Sequence, residues 1–264
     1  MFTRLLVGYS GSAGSRAALK QAIVIGRMFH STIVVARWRT PERHLALTSG
    51  GSTPDRWDAH TPEFENRAAG TAALADAVEL VTQAGLVGET LTTRAPLHRL
   101  ALEVDIVCVG RGMANRPGDG LGATTTDIIA QSPVPVLVCG RRVSRFDRCA
   151  VAVGEGDADQ RALALAARFA DVTGAHLELL LASPDQRQGE NILALASSLL
   201  SEPPVHFTVT HEQGRYHETL AAAISRLNCN GLFVGGRRRD RRLAVPTHSQ
   251  AIFRATDIPV LVHN

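Results

Sequence analysis

The residues of this chain best suited to chemistry are glycines and hydroxyl side chains rather than nucleophiles or metal ligands. The apolar run Val104 to Val109 leads into Gly110-Arg111-Gly112. After further glycines, Gly122-Ala123-Thr124-Thr125 opens a short helical stretch that Pro133-Val134-Pro135 brings to an end. Glycines between a strand and a helix let backbone N–H groups approach an anion, and the helix N-terminus adds partial positive charge. That chemistry is phosphate binding. A surface loop with two exposed arginines, Arg111 and Arg116, would have the same composition, so spacing alone leaves both readings open. A second turn of small residues, Ser10-Gly11-Ser12, follows the apolar run Leu5 to Tyr9.

The pattern is written twice. Gly231-Leu232-Phe233-Val234-Gly235-Gly236 repeats the strand and its glycines, and Val260-Leu261-Val262 ends the chain as Val136-Leu137-Val138 ends the first half. An internal duplication is the first organisational fact. The copies differ in detail. Gly154 and Glu155 stand where the first copy has Ser10 and Gly11, and five arginines lie within 237–242. Thr247 and His248 follow Pro246 at the predicted last helix start. Proline suits a first helical turn but gives a phosphate no N–H. The arginine run reads either as a clamp for phosphates or as a solvated arm, and charge runs are more often the latter.

These loops need a frame to hold them. Short apolar runs alternate with helical periodicity throughout both halves, which predicts α/β architecture with parallel strands and right-handed crossovers. Such sheets bind ligands beyond the carboxyl ends of their strands, where the strand order reverses. The expected organisation is a domain over 1–140 with an insertion near 40–65, a linker at 141–148, and a second domain over 149–264. The insertion is rich in Gly, Ser, Thr, Pro and Asp and too long for a simple connection. The expected third helix of the first half, Pro96 to Glu103, has room for only about two turns.

Composition narrows the function classes. The net charge of +3 comes from arginines, since Lys20 is the only lysine, so no nucleic-acid partner is expected. Mean hydropathy is +0.02, and no apolar run approaches the ~18 residues of a membrane span, so a cytoplasmic protein without membrane insertion is expected. Cys108, Cys139, Cys149 and Cys229 form no C-x-x-C pair and read as buried free thiols. The ten histidines show no metal-ligand spacing, and no nucleophile–base pair can be read. No catalytic residue and no metal site is expected.

The segments Leu6-Val7-Gly8-Tyr9-Ser10-Gly11-Ser12-Ala13-Gly14-Ser15, Asp105 to Gly110 with Gly122, and Pro133 to Val138 together resemble the universal stress protein family, in a tandem two-domain form. The resemblance implies two doubly wound domains, each a five-stranded parallel sheet in the order 3-2-1-4-5 with helices on both faces. It also implies a stress-response regulator that binds ATP or another adenine nucleotide, with Mg2+ as an accompanying ion and at most slow ATP hydrolysis. The residues that match the family's site are Ser10, Gly11, Ser12, Gly110, Gly112, Gly122, Ala123, Thr124 and Thr125, with Arg37 and Trp38 on the adenine side. Gly154, Glu155, Gly235, Gly236, Thr247 and His248 are the second-half counterparts. The sequence departs from the family pattern in several places. Ser10 replaces an acidic residue, Gly110 and Gly112 are two apart rather than three, and Ala123 replaces a hydroxyl.

Two other readings stand beside this one. One is an interaction module of the same fold that binds no nucleotide. The other is an ATP-pyrophosphatase-like enzyme, whose pyrophosphate loop Tyr9 to Ser15 faintly resembles without its aspartate. The resemblance further implies pairing of the domains through their last strands. Strands 136–138 and 260–262 are then expected to meet antiparallel within one chain as a pseudo-dimer, which is compatible with a homo-oligomer.

Overall fold

A computed structural model describes residues 1–38, 67–112, 121–182, 186–200, 205–212, 216–236 and 252–264. Strand β1 (Arg4–Gly8) leads through Ser12 into α1 (Ala13–Phe29), followed by β2 (Thr32–Trp38), α2 (Arg67–Gln83) and β3 (Gly88–Thr93). Then come α3 (Leu97–Leu100), a 3-10 turn (Ala101–Glu103), β4 (Ile106–Gly110), α4 (Ala123–Gln131) and β5 (Val136–Cys139). The second half has β6 (Arg148–Ala152), α5 (Asp157–Thr173), β7 (His176–Ala182), α6 (Gln186–Leu199), β8 (Phe207–Glu212), α7 (Tyr216–Arg226), β9 (Gly231–Gly235) and β10 (Val260–His263). A helical turn at residues 252–255 precedes β10.

Local signals set the helix ends. The Ser12 hydroxyl accepts from the Ser15 N–H at 3.2 Å, an N-cap for α1. His30, in the left-handed region at φ 52°, and Gly174, at φ 71°, close α1 and α5. The periodicity places the second helix of the second half at Ile192–Leu200, whereas α6 begins at Gln186. Its first turn, Gln186-Arg187-Gln188-Gly189, carries no apolar stripe to reveal it.

All ten strands share one sheet in the order β3-β2-β1-β4-β5-β10-β9-β6-β7-β8. Each half thus shows the order 3-2-1-4-5, and every pairing inside a half is parallel. Where the halves meet, β5 and β10 are antiparallel, with Leu137 opposite Leu261 and Val138 opposite Val260. The near-continuous apolar strands fit a sheet covered on both faces. One face packs α1, α2, α5 and α6 around Val7, Leu19, Phe169 and Phe233. The other packs α3, α4, α7 and residues 252–253 around Leu6, Val107 and Val234.

Side chains also knit the halves together. Phe169 is fully buried, and its ring lies 5.5 Å from Phe29, 5.4 Å from Phe146 and 5.5 Å from Phe233. Gln21 of α1 grips the backbone of Ser144 at both ends. Its Nε2 donates to the Ser144 carbonyl at 2.9 Å, and its Oε1 accepts the Ser144 N–H at 2.7 Å. The four thiols are buried and free. Burial pushes Cys108 up to about 12 and Cys229 to about 11, far from the thiolate range in which cysteine reacts.

Candidate functional site

The carboxyl ends of β1 and β4 lie side by side, and helices leave them toward opposite faces of the sheet. The turn after β1 is held by hydroxyls. Ser10 Oγ lies 3.0 Å from Ser12 Oγ and 3.3 Å from the buried Ser15 Oγ. Gly11 takes the left-handed conformation at φ 78°, and its carbonyl accepts from the Arg16 guanidinium. Ser10 itself is exposed at the mouth.

Beyond β4 the backbone segments crowd so closely that only glycine fits. A Cβ on Gly110 would stand 2.6 Å from the Gly14 carbonyl carbon and 2.9 Å from its Cα. Gly112 adopts φ 79°, and a Cβ there would lie 2.9 Å from Gly122 Cα. Two bonds fix the loop against α4. The Gly122 N–H donates to the Arg111 carbonyl at 2.9 Å, and the Thr125 hydroxyl donates to the Gly110 carbonyl at 2.9 Å. Gly122 caps α4 with no side chain, and no acid occupies the first turn, so no residue of α4 itself answers the partial positive end of the helix. Ala123 and Thr124 are exposed there, while Thr125 is buried.

Three of the expected site residues have particular settings. The Thr125 proton is spent on Gly110, so Thr125 braces the loop and Thr124 is the hydroxyl at the open surface. Arg37 and Trp38 are brought to one strand end, but strand alternation sends them to opposite faces. The Arg37 guanidinium lies against Gly70 of α2. Trp38 packs on the other face, and its indole N–H donates to the Arg94 carbonyl at 3.3 Å.

Arg111 is a residue whose direction the sequence does not disclose. Its guanidinium crosses to the second half, donating to the Ile258 carbonyl at 3.0 Å and to the Phe253 carbonyl. Burial lowers its pKa, with Asp257 opposing that shift. In return, Asn264 Nδ2 donates to the Ile129 carbonyl and, at 3.4 Å, to that of Ser132. Each half therefore binds the carbonyls near the end of the other's last helix.

The second cradle is built differently. Gly154 and Gly235 flank Asp159, which is 8% exposed. A Cβ on either glycine would collide with the Asp159 carboxylate. Asp159 Oδ2 accepts from the Gly156 N–H at 3.3 Å at the start of α5, where Asp157 also stands. Glu155 is exposed beside it, and Gly236 is buried, donating its N–H to the His263 carbonyl at 2.7 Å. Asp159 is invisible as a site residue in the sequence, because an acid in a first helical turn usually just answers the helix dipole. Thr247 and His248 lie outside the described residues. Among the described residues, no group of three or more metal-binding side chains converges, and no helix is long and apolar enough to cross a membrane.

A doubly wound parallel sheet in the order 3-2-1-4-5, with a glycine-lined cradle where that order reverses, defines a Rossmann-like α/β protein. This chain belongs to the universal stress protein family, whose pattern matches residues 1–140. No curated protein matches it. Among solved structures, a universal stress protein from Archaeoglobus fulgidus DSM 4304 has a TM-score of 0.78 at 19% identity, with 99% of this chain and 96% of that chain covered. A functionally unknown protein from Pseudomonas aeruginosa PAO1 has a TM-score of 0.64 at 15% identity, with 99% and 92% covered. A universal stress protein family protein from Arabidopsis thaliana with AMP bound has a TM-score of 0.36 at 16% identity, with 44% and 90% covered.

Proposed function

We propose that the chain is a nucleotide-binding regulator of the stress-protein type whose first half, residues 1–140, holds one adenine nucleotide. On this reading the phosphates lie on the N–H groups of Gly112, Ala123 and Thr124, with the Thr124 hydroxyl as a further donor. Ser10, Gly11 and Ser12 border the sugar, and the β2 end carrying Trp38 borders the base. The observation that carries the reading is the glycine crowding at 14, 110, 112 and 122 beside an uncapped helix start. Side chains there would fill the space in which an anion meets backbone N–H groups. Serine at position 10 offers a neutral hydroxyl where a carboxylate would grip a ribose, so modest affinity follows. ATP is the nucleotide proposed first, with Mg2+ supplying charge neutralisation on its phosphates when bound.

The second half, residues 149–264, serves as the partner domain, joined by the linker 141–148 and by the β5–β10 seam. It stands in for the second subunit of a dimer. Calorimetry with ATP, ADP and AMP tests the proposal on the wild type and on Gly122→Val. The backbone at Gly122, φ −66° and ψ 155°, is one a valine adopts without strain, so the variant blocks access more than it disturbs the fold. Saturable binding to the wild type that is lost in the variant supports the site. Equal binding to both refutes the site, and no binding to the wild type refutes it and leaves an interaction module of the same fold.

A further inference from the structure

We propose that Arg111 is a positioning residue: through it the second half holds the glycine loop of the first cradle in shape, so that nucleotide occupancy and the seam between the halves are coupled. The coupling rests on the nucleotide reading above, whereas the holding of the loop stands without it. The backbone of Arg111 lies between the two segments offered to the phosphates. Its carbonyl accepts the Gly122 N–H at 2.9 Å, and the next residue is Gly112, held at φ 79°. Its side chain leaves that loop and forks onto two carbonyls of the second half, Ile258 at 3.0 Å and Phe253. Phe253 lies in the helical turn before β10, and Ile258 two residues before that strand, which is the one that pairs with β5.

The internal repeat makes this tie particular to the first loop. In the register of the strands, Gly236 answers Arg111, Gly140 answers Asn264 and Phe253 answers Ile129. Each half thus offers the same carbonyl, Ile129 or Phe253, to a side chain of the other half, but different elements supply that side chain. Asn264 reaches Ile129 from the end of β10, and Arg111 reaches Phe253 from the loop after β4. The counterpart positions leave no room for a side chain. A Cβ on Gly236 would collide with Asn264 Oδ1, and one on Gly140 with the Asp257 carbonyl oxygen. Of the two side chains, Arg111 alone grows from a cradle loop. It is half-buried, and among the described residues its hydrogen bonds go to carbonyls rather than to a carboxylate. Such charge-assisted bonds are stronger than neutral ones, and lysine, a point donor on a flexible stem, does not reproduce the fork. If the tie holds the loop for a ligand, a bound ligand must hold the tie to the same extent.

Arg111→Met keeps the apolar stem and removes the donors; Arg111→Lys keeps the charge without the fork and serves should the methionine variant fail to fold. Asn264→Ala is the control, since it cuts the other tie across the same seam. Amide hydrogen exchange is measured first without nucleotide. Both Arg111 variants should speed exchange of the Gly122 N–H several-fold, and the control should not. Calorimetry with ATP should then show affinity about fivefold or more weaker in Arg111→Met, not fully restored in Arg111→Lys, and near the wild-type value in Asn264→Ala. In the wild type, ATP should slow exchange of the Thr256 N–H, which bonds the Ile252 carbonyl between the two gripped positions, and this slowing should vanish in Arg111→Met. Wild-type exchange at Gly122 in both Arg111 variants overturns the holding of the loop. Wild-type affinity in Arg111→Lys, an equal loss in Asn264→Ala, or a Thr256 amide that ATP leaves unchanged in the wild type overturns the coupling. If the wild type binds no ATP, the nucleotide reading falls and the coupling with it, while exchange at Gly122 still judges the tie.

Discussion

Phe169 joins the two halves, and truncating it should be felt by the whole molecule. The ring is fully buried and contacts Phe29 of the first half, Phe146 of the connecting segment and Phe233 of its own sheet. Replacing a buried phenylalanine with alanine costs about 3–5 kcal/mol, from lost transfer energy and the cavity left behind. The middle of that range applies, because three rings line the hole and can close it only in part. For a chain of this size, about 4 kcal/mol corresponds to a fall in melting temperature of roughly 8–16 °C. The contact between halves can be isolated with a double-mutant cycle on Phe29→Ala and Phe169→Ala. Tilted rings at 5.5 Å should couple by about 0.5–1.5 kcal/mol. Urea denaturation followed by circular dichroism and by Trp38 and Trp57 fluorescence measures both quantities. A closed cycle with no coupling, or two separated transitions in the wild type, would refute the view that the halves share one core.

Other outcomes follow from the same packing. Gln21→Leu strands the buried N–H and carbonyl of Ser144 and should cost about 1–3 kcal/mol in urea denaturation, whereas Lys20→Leu, on the exposed face of the same helix, should cost little. Stability should decline on acidification in two stages. Burial pushes the His263 imidazole below its ordinary value, so the folded chain holds it neutral, and the associated stability is lost as pH falls below 6.5. Burial alone would raise the carboxyls of Asp105 and Glu178, but hydrogen bonds from Thr3 to the first and from Thr208 and Arg148 to the second outweigh it and lower both. Their stabilisation is present above the ordinary carboxylate range and disappears as pH falls through the depressed values. Urea midpoints between pH 8 and 3 check this: His263→Asn should flatten the upper stage and Asp105→Asn should reduce the lower one.

Much of this architecture is written locally. Runs such as Ile106-Val107-Cys108-Val109 and Val136-Leu137-Val138 are apolar on both faces, which is what a doubly covered parallel sheet requires, and the duplicated Pro-Val-Leu-Val endings mark the two halves. Gly110 and Gly112 announce a close backbone approach, since a Cβ on either would stand under 3 Å from the backbone of Gly14 or Gly122. What stays hidden depends on distance in space. Arg111 looks like a loop cation until its guanidinium is seen reaching carbonyls of Phe253 and Ile258 in the other half. Gln21 looks like one polar position on an amphipathic helix, since nothing nearby in sequence shows that Ser144 comes to meet it. Asp159 reads as a helix-start acid until Gly154 and Gly235 are found on either side of it. The start of α6 is silent because its first four residues, Gln186-Arg187-Gln188-Gly189, begin no apolar period in the sequence.

The most direct measurement of the central claim is an ATP titration followed at the backbone amide resonances of the isotopically labelled chain. The account predicts saturable shifts concentrated at Gly112 and Gly122 to Thr125, with smaller ones at Ser10 to Ser12 and at Trp38. It predicts no comparable movement at Gly154 to Gly156 or at Gly235 and Gly236. Shifts that centre on the second half, or a spectrum that ATP leaves unchanged, would contradict it.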